Sequence, residues 1–242
     1  KLQQIDTLLG ELNQYRANEN YRITEALEIE YTYDSNRIEG NTLTLHETDM
    51  VVNKGITIAG KGLREHLEAI NHKEAIDFIK DIAQKKEPIS ERVLLDIHAI
   101  VLHSIDKDNA GKYRRVPVII SGSKHIPPQP YLLQPKMDEL FQWYEANKDS
   151  MHPVILAAQM HEKLVSIHPF IDGNGRTARL LMNLILMQHG YPIANIKGDN
   201  ETRRRYYETL EEASSGDNSA FVEFIEDVVI QSLTYYLKII RG

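Results

Sequence analysis

The run His168-Pro169-Phe170-Ile171-Asp172-Gly173-Asn174-Gly175-Arg176-Thr177-Ala178-Arg179 concentrates more chemistry than any other stretch of the chain. Pro169 cannot extend a helix, so His168 is the last residue before a fixed bend. Its imidazole suits the removal of a proton from an attacking hydroxyl near neutral pH. Phe170 is an apolar anchor in a polar loop. Gly173, Asn174 and Gly175 tolerate left-handed backbone angles, so successive N–H groups can converge on an anion. A helix beginning directly afterwards adds unpaired N–H groups and a partial positive charge. Arg176 and Arg179 fall on one face of that first turn. The helix dipole disfavours a cation there by roughly 0.3–1 kcal/mol, a conflict that a bound anion removes. Two guanidinium forks, a backbone nest and a helix N-terminus suit a polyphosphate. Asp172 offers a hard oxygen to Mg²⁺ bridging the phosphates. The plain alternative is a helix–helix turn with surface arginines.

Such a loop needs rigid supports on both sides. Apolar periodicity predicts helices near 3–15, 21–38, 46–53, 63–86, 90–104, 135–147, 153–167, 175–189, 201–213 and 219–240. Ser90 is a cap, Pro153 fits a first turn, and Gly190 followed by Pro192 ends a helix. Two helices, Val154 to Ile167 and Leu180 to Met187, are apolar almost all round, which places them inside. The loop carrying His168 and Asp172 joins them. The remaining stretch reads as a small β-hairpin, with one strand over 115–120, a turn at Ser121-Gly122-Ser123 and a return at 124–126. Pro117 confines it to a sheet edge. An edge strand there could take up an extended target segment through Val118, Ile119, Ile120, Ser121 and Gly122.

Bulk composition narrows the class. The 242 residues are long enough to bury a substantial core. A net charge of -7 argues against a duplex nucleic-acid binder. With no cysteine, disulfides, thiolate metal sites and cysteine nucleophiles are excluded, and a reducing, cytoplasmic setting is expected. No apolar run is long enough to span a membrane. His98, His103 and His161 form no zinc pattern and read as hydrogen-bonded core residues. His125 reads as a surface residue.

Two further segments could serve the same site. Tyr206 and Tyr207, adjacent on a helix that follows Arg203, can pack on a purine and bond its edges; packing on the core is the rival reading. Glu39 precedes Gly40, which reads as a helix stop. That puts a carboxylate at the negative end of a helix dipole, where it needs a cationic partner.

The central run resembles the Fic-domain pattern His-x-Phe-x-(Asp/Glu)-Gly-Asn-Gly-Arg-x-x-Arg at every fixed position. The resemblance implies a mainly α, Fic-like helical bundle with a β-hairpin flap. It implies a protein adenylyltransferase that moves AMP from Mg-ATP to a Ser, Thr or Tyr hydroxyl of a protein. His168 would be the base and Asp172 the metal ligand. Gly173, Asn174, Gly175 and Arg176 would cradle the α- and β-phosphates, and Arg179 would hold the γ-phosphate. Tyr206 and Tyr207 would stand near the nucleotide, and the flap would register the target hydroxyl. Ser35, Glu39 and Gly40 match the family's inhibitory pattern (Ser/Thr)-x-x-x-Glu-(Gly/Asn), whose glutamate pairs with the second motif arginine, here Arg179. Because that segment lies in the same chain, the resemblance is to the intramolecularly inhibited class. Residues 1–60 would carry the inhibitory helix and residues 61–242 the catalytic core. The expected cofactor is Mg²⁺, with ATP as substrate and a protein, the chain itself included, as acceptor. A homodimer stays open, and nucleic acid and membrane are not expected partners. Other readings are removal of AMP at the same site, a UMP, phosphocholine or phosphate donor, and a nucleotide-gated regulatory module.

Overall fold

Helix signals written into the sequence account for most of the architecture. In the computed structural model, which describes residues 1–241, there are ten α-helices: α1 Leu2–Gln14, α2 Tyr21–Ile38, α3 Leu45–Lys54, α4 Leu63–Gln84, α5 Glu91–Val101, α6 Leu133–Asn147, α7 Pro153–Ile167, α8 Asn174–Gln188, α9 Asn200–Ser214 and α10 Ser219–Arg241. Gly242, the end of the expected catalytic core, lies outside the described residues. The Asn20 side chain caps α2, Thr44 and Glu47 form a capping box on α3, Ser90 caps α5 and Asp199 caps α9.

The two all-round apolar helices pack on each other more extensively than any other pair. In α8 every side chain from Arg176 to Leu186 is buried. Helices α4, α5 and α2 cover the other sides of α8, while α6, α9 and α10 lie against α7. α1 closes the far side against α10, where Lys1 pairs with Glu223 and Asp227. The loop 168–173 is therefore held between the two most buried helices of the molecule.

The expected β-hairpin is absent. No β-strand occurs among the described residues, and the bundle is all-α. The turn itself forms: Ser123 N–H donates to Ile120 C=O at 3.1 Å, with Gly122 at φ 79°. Its flanks do not pair, because side chains take up the backbone polar groups that a ladder would use. Arg114 donates to the carbonyls of Val116 and Pro128, and Glu211 accepts from the Lys124 N–H. Pro117, Pro127 and Pro128 supply no N–H. The stretch is an extended strap stapled to the bundle by its ends.

Several buried histidines are held neutral. Burial pushes His72 down to about 3 and His98 down to about 4, whereas an unfolded histidine titrates at about 6.5. Between those values the unfolded chain binds more protons, so stability is lost as the pH falls. At pH 5 each of the two should cost about 2 kcal/mol. Urea midpoints measured at pH 7 and pH 5 should show a clear drop; equal midpoints would mean that these histidines are not buried neutral.

Candidate active site

His168 caps α7 at φ 51°, ψ 57°, in the left-handed region. Pro169 disfavours the helical conformation for the residue before it. A non-glycine residue in the left-handed region costs of order 1–3 kcal/mol, so the surroundings must hold it there. Arg114 does this. It is buried, and its Nε donates to the His168 carbonyl at 2.7 Å while its own backbone N–H donates to the Pro169 carbonyl at 2.9 Å. The remaining guanidinium nitrogens hold the strap, so one side chain couples the histidine to the strap. His168 Nδ1 is buried without a well-formed hydrogen bond, which leaves Nε2 as the nitrogen for the cleft. Burial lowers the His168 pKa; the nearby Val165 carbonyl acts in the opposite direction, and Arg114 adds to the lowering. The shift favours the neutral ring.

The loop beyond is braced from within. The Asn174 side chain accepts from the Phe170 N–H and donates to the Phe170 carbonyl, both at 2.9 Å. Phe170 stacks on His98 at 3.6 Å. His98 Nε2 donates to the Asp172 carbonyl at 2.8 Å, and its Nδ1 accepts from the Gly111 N–H. Asn174 is thus a strut of the loop in this geometry. The two glycines serve different purposes. Gly173 is left-handed at φ 82° and precedes α8. Gly175 lies in the first turn of α8, where a Cβ would collide with the Glu39 carboxylate and approach Arg179 Nη1 to 2.9 Å.

The two motif arginines diverge. Arg176 turns toward Asp172, with Nη2 at 3.2 Å from Oδ1, and toward Glu68. Its Nε and Nη1 are buried without a hydrogen-bond partner. Arg179 turns toward α2 and α9. It is 1% exposed, and its Nε donates to Ser35 Oγ at 2.9 Å, Nη2 to the Ser35 carbonyl at 3.0 Å and to Glu39 Oε1 at 2.7 Å, and Nη1 to the Tyr206 hydroxyl at 3.1 Å. The Ser35 carbonyl belongs to the last turn of α2, where carbonyls lack helical partners. A cation that is misplaced at the start of α8 is well placed at the end of α2.

A cleft of about 830 Å³ opens beside this pair. Lining it are His168, Gly175, Arg179, Glu39, Tyr206 and Tyr207, together with Ile120, Ser121 and Gly122 of the strap. Tyr206 is buried and hydrogen-bonded to His161 Nε2 at 2.9 Å, so it supports Arg179 from below; Tyr207 is 43% exposed and reaches the Ile38 carbonyl. Val118 and Ile119 do not line the cleft, and Ile119 is 87% exposed. His125 is half-buried, with Nε2 donating to the Ser166 carbonyl at 2.7 Å. Asp172 and Arg176 stand on the opposite side of the Gly173 turn. There Arg64 of α4 donates to Asp172 Oδ2, while the Gly173 N–H donates to Oδ1 at 2.7 Å. Burial pushes the Asp172 carboxyl up, but Arg176, Arg64 and the Gly173 N–H outweigh it and hold the group below the usual carboxylate range.

An anionic carboxylate of this kind fits Mg²⁺, which binds through one or two carboxylates plus substrate phosphates. No group of three or more acidic, histidine or cysteine side chains that could hold a metal occurs among the described residues. The arrangement therefore suits an ion that arrives with its phosphates, on condition that Arg64 yields Oδ2. Arg64, Arg114 and His98 were not legible as site residues; each acts across 50 or more positions of sequence.

Among the described residues no helix is long and apolar enough to cross a membrane. A family model described as "Fic/DOC family" matches residues 88–186. The chain is 39% identical over 210 residues to "Protein adenylyltransferase Fic" of Nematostella vectensis, covering 86% of this chain and 48% of that protein. The same description from Culex quinquefasciatus matches at 41% identity over 211 residues, covering 86% and 41%. The chain thus spans about half the length of these curated relatives or less. A fragment of Fic-1 from C. elegans superposes with a TM-score of 0.86 at 32% identity, covering 98% of this chain and 71% of the fragment. A Fic domain-containing signaling protein from Bacteroides thetaiotaomicron gives 0.86 at 29% identity, covering 99% and 97%. On these matches the chain shares its helical bundle with Fic proteins and belongs to the Fic/DOC family.

Proposed function

We propose that this chain transfers AMP from Mg-ATP to a Ser, Thr or Tyr hydroxyl of a protein, itself included, and that Glu39 restrains that transfer. One observation carries the reading. The Glu39 carboxylate is seated over Gly175 at the start of α8 and hydrogen-bonded to Arg179 at 2.7 Å. An anion already fills the place where helix N-terminus and guanidinium would receive a phosphate. The description of the curated relatives as protein adenylyltransferases supports the same reading. On this reading residues 1–60 serve as the inhibitory part and residues 61–242 as the catalytic part.

The chemistry follows from the geometry. The target hydroxyl gives its proton to His168 Nε2 as its oxygen bonds to the α-phosphorus. The bond from that phosphorus to pyrophosphate breaks, and the pyrophosphate leaves with the electron pair. The N–H groups at the start of α8, the unpartnered N–H groups of Arg176 and the freed guanidinium of Arg179 stabilise the charge. Mg²⁺, when bound, would neutralise phosphate charge at Asp172. Catalysis of this kind is mainly positioning and electrostatics.

Mass spectrometry of the chain and of a host lysate after incubation with Mg-ATP tests the reading, with UTP run in parallel. AMP adducts on hydroxyl residues are expected; no adduct with any donor, in the Glu39→Gly chain as well as the wild type, would overturn it. Asp172→Ala should reduce transfer by at least about 10²-fold and weaken Mn²⁺ binding in the presence of ATP. Full transfer in excess chelator would remove the metal from the scheme.

A further inference from the structure

The cleft has an order that two helices report separately. Along α7, His168 marks one end, Val165 comes next and Glu162 lies six residues back, about 9 Å along the axis. Along α9, Arg203 and Tyr207 stand at the Arg179 end, Leu210 follows and Ser214 lies beyond, spaced as one helical face. The two sequences of residues agree. On that order the cleft runs from a charged, phosphate-sized end, through a waist where Val165, Leu210 and Ile120 stand among polar His125, Ser166 and Glu211, to a polar end at Glu162, Glu212 and Ser214. A nucleotide laid in it puts its base in the waist and the base's outer edge against Glu162.

Glu162 is an unusual group to find there. It is 6% exposed. Oε1 accepts from Asn218 Nδ2 at 3.1 Å and lies 3.8 Å from the Lys163 ammonium. Oε2 accepts no hydrogen bond from the described residues. Burial pushes the Glu162 carboxyl above its ordinary range, with Asn218 and Lys163 acting against the shift. The unpartnered carboxylate oxygen stands on the cleft wall, free to accept a hydrogen bond from a donor that arrives with the ligand.

We infer that Glu162 selects the donor's base, its free Oε2 accepting a hydrogen bond from the exocyclic 6-amino group of adenine. This assignment rests on the nucleotide-transferase reading and adds to it a residue that sets donor specificity. A 6-oxo purine would present an oxygen to an oxygen, and a site built around one hydrogen bond discriminates strongly against an analogue that lacks it. Inosine triphosphate is the appropriate probe, because it keeps the ribose, the phosphates and the purine outline.

Titration calorimetry with Mg-ATP and Mg-ITP, on the wild-type and Glu39→Gly chains, should show ITP binding about 10- to 100-fold more weakly. Glu162→Gln should narrow that gap, since an amide can donate to the 6-oxo group. Glu162→Leu should weaken ATP without improving ITP. The wild-type comparison needs no variant and so does not depend on how the variants fold. Equal affinities for ATP and ITP would overturn the assignment, and an unchanged gap in Glu162→Gln would move base selection to another residue. No binding of either triphosphate in either chain would overturn the transferase reading and this inference with it.

Discussion

His168→Ala is expected to lower AMP transfer by about 10²–10⁴-fold while leaving Mg-ATP affinity nearly unchanged. A base acts in the transition state and contributes little to ground-state binding. The structure makes the substitution a clean test. The left-handed conformation of residue 168 is held through its carbonyl by Arg114, so loss of the imidazole does not release the strap or the loop. Burial depresses the His168 pKa, which also fixes the acid limb of the pH profile. Protonation removes the base, so the wild-type rate should fall as the pH drops through a value below that of a free histidine, and no such limb should remain in the variant. Initial rates of self-modification in a Glu39→Gly background, with calorimetry for affinity, measure both. Transfer at the parent rate would take the base role away from His168.

Helical periodicity was legible because each helix buries a face, and a buried face must repeat every three or four residues. The all-round apolar character of α7 and α8 placed the loop between them at the centre of the molecule for the same reason. The strap was misread because its residues do have strand-like character; what decides its conformation is where the backbone hydrogen bonds go. Arg114 and Glu211 answer that, and neither lies within the strand-like run. The same blindness applies to Arg64 on Asp172 and to His98 on the Asp172 carbonyl. Their partners are 108 and 74 residues away, and an arginine or histidine on a helix carries no local sign of such a task. Glu39 and Arg179 differ from these. Each is electrostatically unfavourable in its own helix, so each advertises a missing partner. The family resemblance named the two as a pair, and the structure places them 2.7 Å apart.

Glu39→Gly should raise transfer, seen first as self-modification, by about 10²-fold, the scale that misalignment of reacting groups can cost. In the wild-type chain the guanidinium of Arg179 is satisfied by Ser35, Tyr206 and Glu39. ATP entering that arrangement meets a carboxylate over Gly175, and its phosphates are repelled from the start of α8. Removing the carboxylate empties the position and takes away the counter-ion of the buried Arg179, whose three other hydrogen bonds, to Ser35 and Tyr206, keep it in place. The backbone tolerates the change, since residue 39 sits at φ -89°, ψ 8° and glycine adopts these angles freely. The Glu39 side chain is one-third exposed but Arg179 is buried, so losing the pair costs more than losing an exposed one. The variant should therefore melt below the wild type, and Mg-ATP, which returns an anion to Arg179, should recover part of the loss. Arg179→Ala should behave differently: it removes the inhibitory partner and the phosphate ligand together, and adding it to Glu39→Gly should cancel the activation. Time courses of AMP incorporation, followed by intact mass for the wild type, each single variant and the double variant, separate these outcomes. A Glu39→Gly chain that is folded, binds Mg-ATP and modifies neither itself nor any lysate protein above the wild-type level would leave Glu39 as an ordinary helix-end residue.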